Sequence, residues 1–219
     1  MLREPSDIKE CEYCEETIEK AAQPQYNQNS SDLCQLYNAI GRASSIMRPA
    51  IFFDRDNTLT IDKGYCHKIE DFAWMPGVEA ALQQLHQAEI PIFIVTNQGG
   101  IAQQIFSHND MTAFHHHLCK QAIAAGSYIT DIAYCPHHPK ATDPAARICE
   151  CRKPAPTMLQ QLATKWDISL AHSVMIGDRS SDILAGQYAG CYSYLYEPHS
   201  DMTRFLAPII AAHFGVTLL

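Results

Sequence analysis

The sequence predicts an α/β fold in which helices cover both faces of a doubly wound, mainly parallel sheet. From residue 49 onward, short apolar runs alternate with amphipathic segments of helical length. Such alternation is typical of strand–helix–strand units, whose strands run parallel. The run "PIFIV" has no polar residue on either face, as expected for a strand that is covered on both sides. These observations favour one domain over residues 47–219.

The first half of this domain is predicted to hold two strands and two helices. "AIFF" is a short buried strand, and "PIFIVT" is a second strand rich in β-branched residues. "PGVEAALQQLHQA" is an amphipathic helix with Pro76 and Gly77 at its start. "HNDMTAFHHHLCKQAIAAG" is a longer helix that ends at Gly126, because glycine favours helix termination. We expect its mid-helix histidines 115–117 on the solvated surface.

The second half repeats the pattern around a long loop. "ITDIAYC" is predicted as a third strand, and an irregular loop then runs through Pro154. Next come the helix "APTMLQQLATKWD", the strand "HSVMIGD", the helix "SSDILAGQYAG" and the strand "CYSYLY". The apolar tail, residues 201–219, is expected to pack as a last helix.

Residues 1–46 differ from the rest of the chain. The stretch "AAQPQYNQNSSD" is polar and rich in helix breakers, and its flanks have weak helical periodicity. We therefore predict a small N-terminal extension that is partly helical and partly disordered. Met47 would serve as a natural start of the domain. The pair "CEYC" at 11–14 resembles half a metal site, but without a matching second pair free thiols are the favoured interpretation.

Composition limits the classes of function. The chain has 219 residues, is 47% hydrophobic and carries a formal charge of −8. An acidic protein is a poor general ligand for nucleic acid, whose phosphates attract basic surfaces. No apolar run is long enough to span a bilayer, and no signal peptide is evident at the start. We expect a cytoplasmic monomer that binds no nucleic acid or membrane and acts on a small anionic substrate through a local basic site.

Polar residues gather where the predicted strands end. Asp54 and Asp56 follow the first strand, and two like charges so close require a cation or a shared proton. Carboxyl ends of parallel strands converge at one edge of a sheet, where ligands bind. The other residues expected at this edge are Thr96, Asn97 and Gln98 after the second strand, Asp178 and Asp182 after the fourth, and the basic pair Arg152 and Lys153. Such a set suits a hard cation and a phosphoryl group.

Four short motifs carry a family resemblance. They are Asp54-x-Asp56-x-Thr58, Thr96-Asn97, Lys153-Pro154 and Gly177-Asp178-x-x-x-Asp182, in this order along the chain. This pattern resembles the haloacid dehalogenase-superfamily phosphatases across residues 50–195. The resemblance implies a Rossmann-like sheet of the haloacid dehalogenase type. One Asp-x-Asp alone would be weak evidence, whereas four ordered motifs at predicted strand ends are specific.

The resemblance implies a role for each motif residue. Asp54 would attack phosphorus and form an aspartyl phosphate, and Asp56 would act as general acid and base. Thr96 would bind a phosphoryl oxygen, and Lys153 would neutralise the phosphoryl group. Asp54, Asp56 and Asp178 would hold a catalytic Mg²⁺, whose charge favours attack on an anionic ester.

Three positions near the motifs are informative in other ways. Asp182 is expected to orient its neighbours instead of binding the metal. Asn57 stands where most relatives have glycine, and asparagine tolerates a positive φ better than other residues do. Arg179 stands where relatives often have lysine. For Asp182 alone, or Thr96 alone, a capping role is the alternative to a site role.

The loop "CPHHPKATDPAARICEC" carries a second set of metal-binding side chains. Cys135, His137, Cys149 and Cys151 supply three thiolates and one imidazole, which fill a tetrahedral Zn²⁺ shell and predict a structural site. A long irregular loop needs such a constraint. His138 is the alternative to His137, and free thiols with surface histidines are the alternative to a metal.

The cysteine loop narrows the resemblance to two branches. It resembles the D-glycero-D-manno-heptose 1,7-bisphosphate phosphatases and the histidinol phosphate phosphatases, and "DKGY" and "TNQGGIA" match the heptose branch more closely. A catalytically silent zinc-containing binder of sugar phosphates is the alternative from another class. The residues expected to contact substrate are Asp62, Gly64, Tyr65, Asn97, Gln98, Arg152 and Arg179. Of these, Arg152 offers a planar fork suited to phosphate.

Overall fold

The computed structural model describes residues 47–217 and places a five-stranded sheet at the centre of the fold. Strands and α-helices alternate along the chain, as the sequence predicts. The strands are β1 (Ile51–Phe53), β2 (Ile92–Asn97), β3 (Asp131–Cys135), β4 (Val174–Gly177) and β5 (Tyr192–Leu195). The helices are α1 (Val78–Gln87), α2 (His108–Ala124), α3 (Thr157–Trp166), α4 (Ser180–Ala189) and α5 (Met202–Phe214).

All neighbouring strands in the sheet are parallel, in the order β3-β2-β1-β4-β5. The strand β1 lies at the centre, where Phe53 pairs with Ile94 of β2 and with Ile176 of β4. The order reverses at β1, so the chain winds outward in both directions from it. A crevice opens at the carboxyl ends of the strands on either side of such a reversal. The predicted doubly wound parallel sheet is confirmed.

Two apolar cores cover the two faces of the sheet. Side chains of successive residues in a strand point to opposite faces. Ile51 and Phe53 of β1 therefore pack with α1, α2 and α5 on one face, and Phe52 packs with α3 and α4 on the other. The strands β1 to β4 are buried along their length except at Asn97, the half-buried last residue of β2, which explains why their sequences lack polar alternation.

Helix boundaries agree closely with the local signals in the sequence. Gly77 adopts a left-handed conformation with a φ of 76° immediately before α1. The side chain of Ser107 accepts a hydrogen bond from the Asp110 main-chain nitrogen, and the Asp110 carboxylate accepts one from the Ser107 main-chain nitrogen, which closes a capping box at the start of α2. Gly126, with a φ of 79°, follows the end of α2. The apolar tail forms α5, as predicted.

The placement of the three adjacent histidines differs from the sequence prediction. His115 is buried, with 1% of its surface exposed, and His116 and His117 are half-buried. His115 lies in the buried stripe of α2 that continues through Leu118 and Cys119, and this stripe has the three- and four-residue spacing of a helix face. The prediction of a solvated surface was therefore wrong for His115. Here the helical spacing of the buried stripe predicts the burial of His115 better than the polarity of the histidine run does.

Two expectations concern residues outside the described range. The N-terminal extension, residues 1–46, and its "CEYC" pair lie there, so these predictions stay predictions. Within residues 47–217, none of the helices combines the length and the apolar character needed to cross a membrane.

Candidate active site and metal centres

A cleft of about 390 Å³ opens at the carboxyl ends of the central strands. Side chains from the ends of β1, β2 and β4 and from the loops between them meet in it. Its lining consists of Asp54, Asp56, Asp62, Gly64, Tyr65, Asn97, Gln98, Gly99, His138, Arg152, Lys153, Arg179, Ser181 and Asp182. The structure thus brings together most of the site residues that the sequence singles out. Thr96 and Asp178 are not among the lining residues.

Lys153 joins the three parts of the site. Its Nζ lies 2.6 Å from Asp54 Oδ1 and 2.8 Å from Asp182 Oδ1, and it donates to the main-chain oxygen of Val95 over 2.6 Å. Only 4% of Lys153 is exposed. An ammonium has three protons to donate, and all three find acceptors here. Lys153 is therefore held rigidly against Asp54.

The surroundings of Asp54 and Lys153 raise the pKa of both groups. Burial, opposed by Lys153 and reinforced by Asp182 and Asp56, raises the pKa of Asp54 to about 7. Burial disfavours the charged form of Lys153, but the carboxylates of Asp54 and Asp182 outweigh it and raise the pKa of Lys153. Several carboxylates so close together create a strong local demand for a further cation.

A group of three carboxylates marks the place where a cation would bind. One oxygen each from Asp54, Asp178 and Asp182 lies within 4.8 Å of the others. Asp178 Oδ1 is buried and has no hydrogen-bond partner in the described part of the chain. Asp182 is already engaged, since its Oδ2 accepts from the Arg179 main chain over 3.0 Å. The carboxylate of Asp56, predicted as a metal ligand, does not belong to this group.

The close approach of α4 to β4 depends on Gly177. A Cβ atom at this position would collide with the side chain of Asp182. Glycine at the end of β4 therefore lets the first turn of α4 bring Asp182 against Lys153. This explains in physical terms why a glycine stands before Asp178.

Asp56 is held by different partners from those of Asp54. Its Oδ1 accepts from Arg55 Nε over 2.7 Å and lies 2.7 Å from Arg55 Nη2, and its Oδ2 accepts from Gln98 Nε2 at 2.8 Å. Gln98 Nε2 also donates to Thr96 Oγ1 over 2.8 Å. Thr96 is 1% exposed and lies behind Gln98. A chain of hydrogen bonds thus runs from Thr96 to Asp56.

Asn97 lines the cleft and also forms hydrogen bonds with the main chain of Lys153. Its Nδ2 donates to the Lys153 main-chain oxygen over 3.1 Å, and its Oδ1 accepts from the Lys153 main-chain nitrogen over 3.0 Å. Both ends of the amide are used in this pair of bonds. Asn97 therefore fixes the position of Lys153 relative to β2. Asn97 also lines the cleft, and its predicted contact with substrate stays a prediction.

The rim of the cleft is built from a loop that follows β1. Asp62 Oδ1 accepts from the main chains of Gly64 at 3.0 Å and Cys66 at 2.8 Å, so this carboxylate shapes the loop. The hydroxyl of Tyr65 accepts from Gln103 Nε2 over 2.8 Å. Asn57 has a φ of 60°, a left-handed conformation that asparagine tolerates, so this position does not require glycine.

The opposite rim carries two arginines. Arg152 Nη1 donates to the His137 main-chain oxygen over 2.9 Å, which ties it to the cysteine loop. The side chain of Arg179 is 65% exposed, and its Nε lies 3.7 Å from Asp178 Oδ2. Arg179 is thus free to move, whereas Arg152 is anchored.

The four predicted zinc ligands lie together. One donor atom each from Cys135, His137, Cys149 and Cys151 lies within 4.8 Å of the others. Cys135 Sγ lies 3.0 Å from Cys151 Sγ and 3.6 Å from Cys149 Sγ, and His137 Nδ1 lies 3.3 Å from Cys151 Sγ. The Cys151 thiol donates to Cys135 and thereby lowers the pKa of Cys135 to about 6.

His138 does not belong to the cysteine cluster. It lines the cleft instead, where a Cβ on Gly99 would lie 2.8 Å from its Cδ2 atom. Sequence reasoning considered His138 only as an alternative ligand and missed this position. It also missed Ser181, which follows Arg179 at the start of α4. Their proximity to the motifs was the available signal.

Arg55 is the most important residue that sequence reasoning passed over. It stands between the two aspartates, is 1% exposed and binds Asp56 directly. A basic residue inside an Asp-x-Asp stretch is a visible signal, because two adjacent carboxylates need positive charge. Its other contacts, with Cys66 and His115, join residues that are farther apart in sequence and cannot be inferred from the motif.

Comparisons with known proteins agree with this site. The family model described as HAD-hydrolase-like matches residues 150–203. A D-glycero-beta-D-manno-heptose-1,7-bisphosphate 7-phosphatase of Rhodopseudomonas palustris is 40% identical over 77% of this chain and 93% of its own. A protein of the same name from Pasteurella multocida is 40% identical over 65% of this chain and 78% of its own.

A solved structure has a similar fold. The D,D-heptose 1,7-bisphosphate phosphatase from B. bronchiseptica, crystallised with magnesium and phosphate, superposes with a TM-score of 0.61 at 30% identity. The match covers 67% of this chain and 79% of that one. Fold, site and relatives agree, and the chain belongs to the haloacid dehalogenase-like family of phosphatases.

Proposed function

We propose that this enzyme is a Mg²⁺-dependent phosphomonoesterase that removes the 7-phosphate of D-glycero-D-manno-heptose 1,7-bisphosphate through an aspartyl-phosphate intermediate. The observation that carries the mechanism is the buried contact of 2.6 Å between Lys153 Nζ and Asp54 Oδ1 at the base of a polar cleft. The substrate is supported by the names of relatives that are 40% identical to this chain.

The carboxylates at the base of the cleft fit a magnesium ion. Oxygen ligands are the ones that Mg²⁺ prefers, and few protein ligands suffice because the ion keeps several waters. Asp54 and Asp178 would hold it, since Asp178 Oδ1 is buried without a partner in the described residues and Asp182 is committed to Lys153. When bound, Mg²⁺ supplies positive charge that reduces the repulsion between an anionic nucleophile and an anionic ester.

In the first chemical step, a carboxylate oxygen of Asp54 attacks the phosphorus atom. A bond forms between that oxygen and phosphorus, and the bond from phosphorus to the sugar oxygen breaks. Asp56 gives its proton to the departing oxygen, so that the sugar leaves as an alcohol. Lys153 stays against the acyl phosphate and balances part of its negative charge.

In the second step, water attacks the phosphorus atom of the aspartyl phosphate. Asp56, now ionised, takes a proton from this water as the new oxygen–phosphorus bond forms. The bond between phosphorus and Asp54 breaks and releases inorganic phosphate. Asp54 returns to its carboxylate form and Asp56 to its acid form.

The cysteine loop fits a structural zinc ion. Three sulfur atoms and one ring nitrogen are a complete tetrahedral set, with no position left for a substrate. Tetrahedral ligands about 2.3 Å from zinc lie within about 4 Å of one another, and Cys135 Sγ lies 3.0 Å from Cys151 Sγ and 3.8 Å from His137 Nδ1. Through Arg152 and its bond to the His137 main chain, the loop would hold the segment that contains Lys153.

The polar rim suits a substrate with hydroxyls and a second phosphate. Arg152 and Arg179 both face the cleft and could accept an anionic group. Their charge also argues against a substrate with a cationic amine, because like charges repel at close range. Histidinol phosphate is such a substrate, and it is the comparison that tests the assignment.

The test is the rate of phosphate release from the two esters under the same Mg²⁺ concentration. We expect kcat/KM for the heptose bisphosphate to exceed that for histidinol phosphate by at least about 10³, which corresponds to about 4 kcal/mol of discrimination. Phosphorus NMR of the sugar product should show that the 1-phosphate remains. A preference for histidinol phosphate would overturn the substrate and leave the chemistry at Asp54 intact.

A further inference from the structure

A fully buried arginine lies beside the general acid. Arg55 is the largest of the described side chains with under 2% of its surface exposed. Burying an unpaired charge costs several kcal/mol, so such a residue persists only where its partners compensate. The partners of Arg55 come from three separate parts of the chain, and each one is directional.

The guanidinium uses every nitrogen. Its Nε and Nη2 both lie 2.7 Å from Asp56 Oδ1, and Nη2 donates also to the Cys66 main-chain oxygen over 3.0 Å. Its Nη1 lies 3.1 Å from His115 Nε2. The plane of the group rests over the ring of Phe114, with 4.8 Å between Arg55 Cζ and the ring centre. These contacts fix both the position and the rotation of the guanidinium.

The contact with His115 determines the form of its ring. An arginine nitrogen only donates hydrogen bonds, so His115 Nε2 must accept and the ring proton must reside on Nδ1. A protonated ring would place two cations 3.1 Å apart in a buried site. His115 is therefore a neutral acceptor. It belongs to α2, a helix that carries none of the four motifs.

The two oxygens of Asp56 consequently differ. Oδ1 accepts from Nε of Arg55 and lies 2.7 Å from its Nη2, so this cation occupies the side of Oδ1 where a proton would sit. Among the described residues, Oδ2 accepts from Gln98 Nε2, and Gln98 can give up this bond while it keeps the one to Thr96. Proton exchange with the substrate oxygen must then proceed through Oδ2.

We propose that Arg55 and His115 are positioning residues that hold Asp56 with Oδ2 toward the leaving group. This inference rests on the proposed function, because it assigns the groups that aim its general acid. His115 keeps Nη1 of Arg55 in place, and Arg55 keeps Oδ1 of Asp56 in place. Without an acceptor at residue 115, a buried Nη1 donor loses its partner and the guanidinium turns toward another acceptor, which releases Asp56.

The test distinguishes an effect on the orientation of Asp56 from an effect on protein stability by varying the leaving group. An alkyl phosphate needs a proton on its departing oxygen, whereas p-nitrophenyl phosphate leaves readily as the anion. Values of kcat/KM report the step that forms the aspartyl phosphate. In His115→Leu, we expect kcat/KM to fall about 10- to 100-fold on the heptose bisphosphate and by less than about threefold on p-nitrophenyl phosphate.

The conservative variant and a matched control complete the experiment. His115→Gln places an amide oxygen that can accept from Arg55, so it should recover most of the loss on the sugar ester. His117→Gln, on the same helix and in contact with Phe72, should leave both rates unchanged. If the leucine variant fails to fold, the same ratio measured on Arg55→Lys, which keeps the charge but loses the fork, decides the matter.

Equal losses on both esters in folded variants, or a glutamine variant as damaged as the leucine one, would overturn the proposal. Each result would show that His115 serves stability and not the acid. The ratio can be measured with any alkyl phosphate that the wild-type enzyme hydrolyses. Failure of the heptose substrate and failure of this inference are therefore distinguishable.

Discussion

Asp54 and Asp56 carry the same charge and stand two residues apart, yet their surroundings differ. Asp54 contacts Lys153 and lies near Asp178 and Asp182. Asp56 contacts Arg55 and Gln98. Each aspartate thus has its own cation at 2.6–2.7 Å, which reduces the repulsion between them. The difference in partners suits one residue to attack and the other to proton transfer.

Substitution of the two aspartates should have unequal effects. Asp54→Asn should abolish phosphate release, because an amide is a poor nucleophile and a weak Mg²⁺ ligand. Asp56→Asn should lower kcat on an alkyl phosphate by about 10²–10⁴, the usual contribution of general acid–base catalysis. Steady-state phosphate release with purified variants measures both. Substantial activity in Asp54→Asn would contradict the mechanism.

The stability of the protein should depend on pH through His115. Burial, together with Arg55 and His116, lowers the pKa of His115 well below the ordinary 6.5. The unfolded chain therefore binds a proton below pH 6.5 that the folded chain does not, and stability falls as the pH decreases through this range. Between pH 7.5 and 5.5, we expect His115 to account for a loss of about 1.4 kcal/mol.

The measurement compares urea unfolding of the wild type with that of His115→Gln at the two pH values. The charges that face the ring are Arg55 and, along the helix, His116, and both remain in the variant. The pH-dependent loss should therefore be smaller in the variant by about 1.4 kcal/mol. An identical loss in both proteins would show that His115 takes up a proton in the folded state.

Local patterns explain how much could be predicted from sequence at the level of elements. The strands were predictable because β1 to β4 are buried on both faces and read as apolar runs. The site motifs were predictable because they follow those strands directly. The contact between Arg55 and His115 joins residues 60 positions apart, and no local pattern encodes it. The same holds for the use of Asn97 on the main chain of Lys153.

The cysteine loop leads directly into Arg152 and Lys153, so its integrity should affect the position of Lys153. Cys149→Ser should lower the zinc content from one per chain and lower kcat several-fold while the substrate preference stays the same. Cys191→Ser, in the apolar core beside α4, is the matched control for loss of a buried thiol. Elemental analysis and kinetics on both variants, purified without chelators, measure this. Zinc-free wild-type protein with full activity would contradict the structural role.

At the level of the whole molecule, the described lining of the cleft occupies a limited part of the chain. Every described residue that lines the cleft lies between Asp54 and Asp182. We propose that residues 47–219 form the phosphatase domain and that residues 1–46 are an extension that catalysis does not need. A chain that starts at Met47 should then have a kcat/KM within about twofold of the full chain, because residues 1–46 carry none of the four motifs. Loss of solubility or activity on truncation would contradict this proposal.

The proposed mechanism requires that the substrate's phosphoryl group is transferred covalently to Asp54 before it is released as phosphate. The most direct test is acid quenching of the enzyme during turnover of substrate labelled with ³²P at the 7-phosphate, followed by peptide mapping. The Asp56→Asn variant lacks the base for the second step, so the covalent phosphate should accumulate in it. With p-nitrophenyl [³²P]phosphate as the substrate, the label should reach up to one phosphate per chain on the peptide that contains Asp54. Asp54→Asn should carry none. Label on another residue, or turnover in Asp56→Asn without any covalent phosphate, would contradict the account.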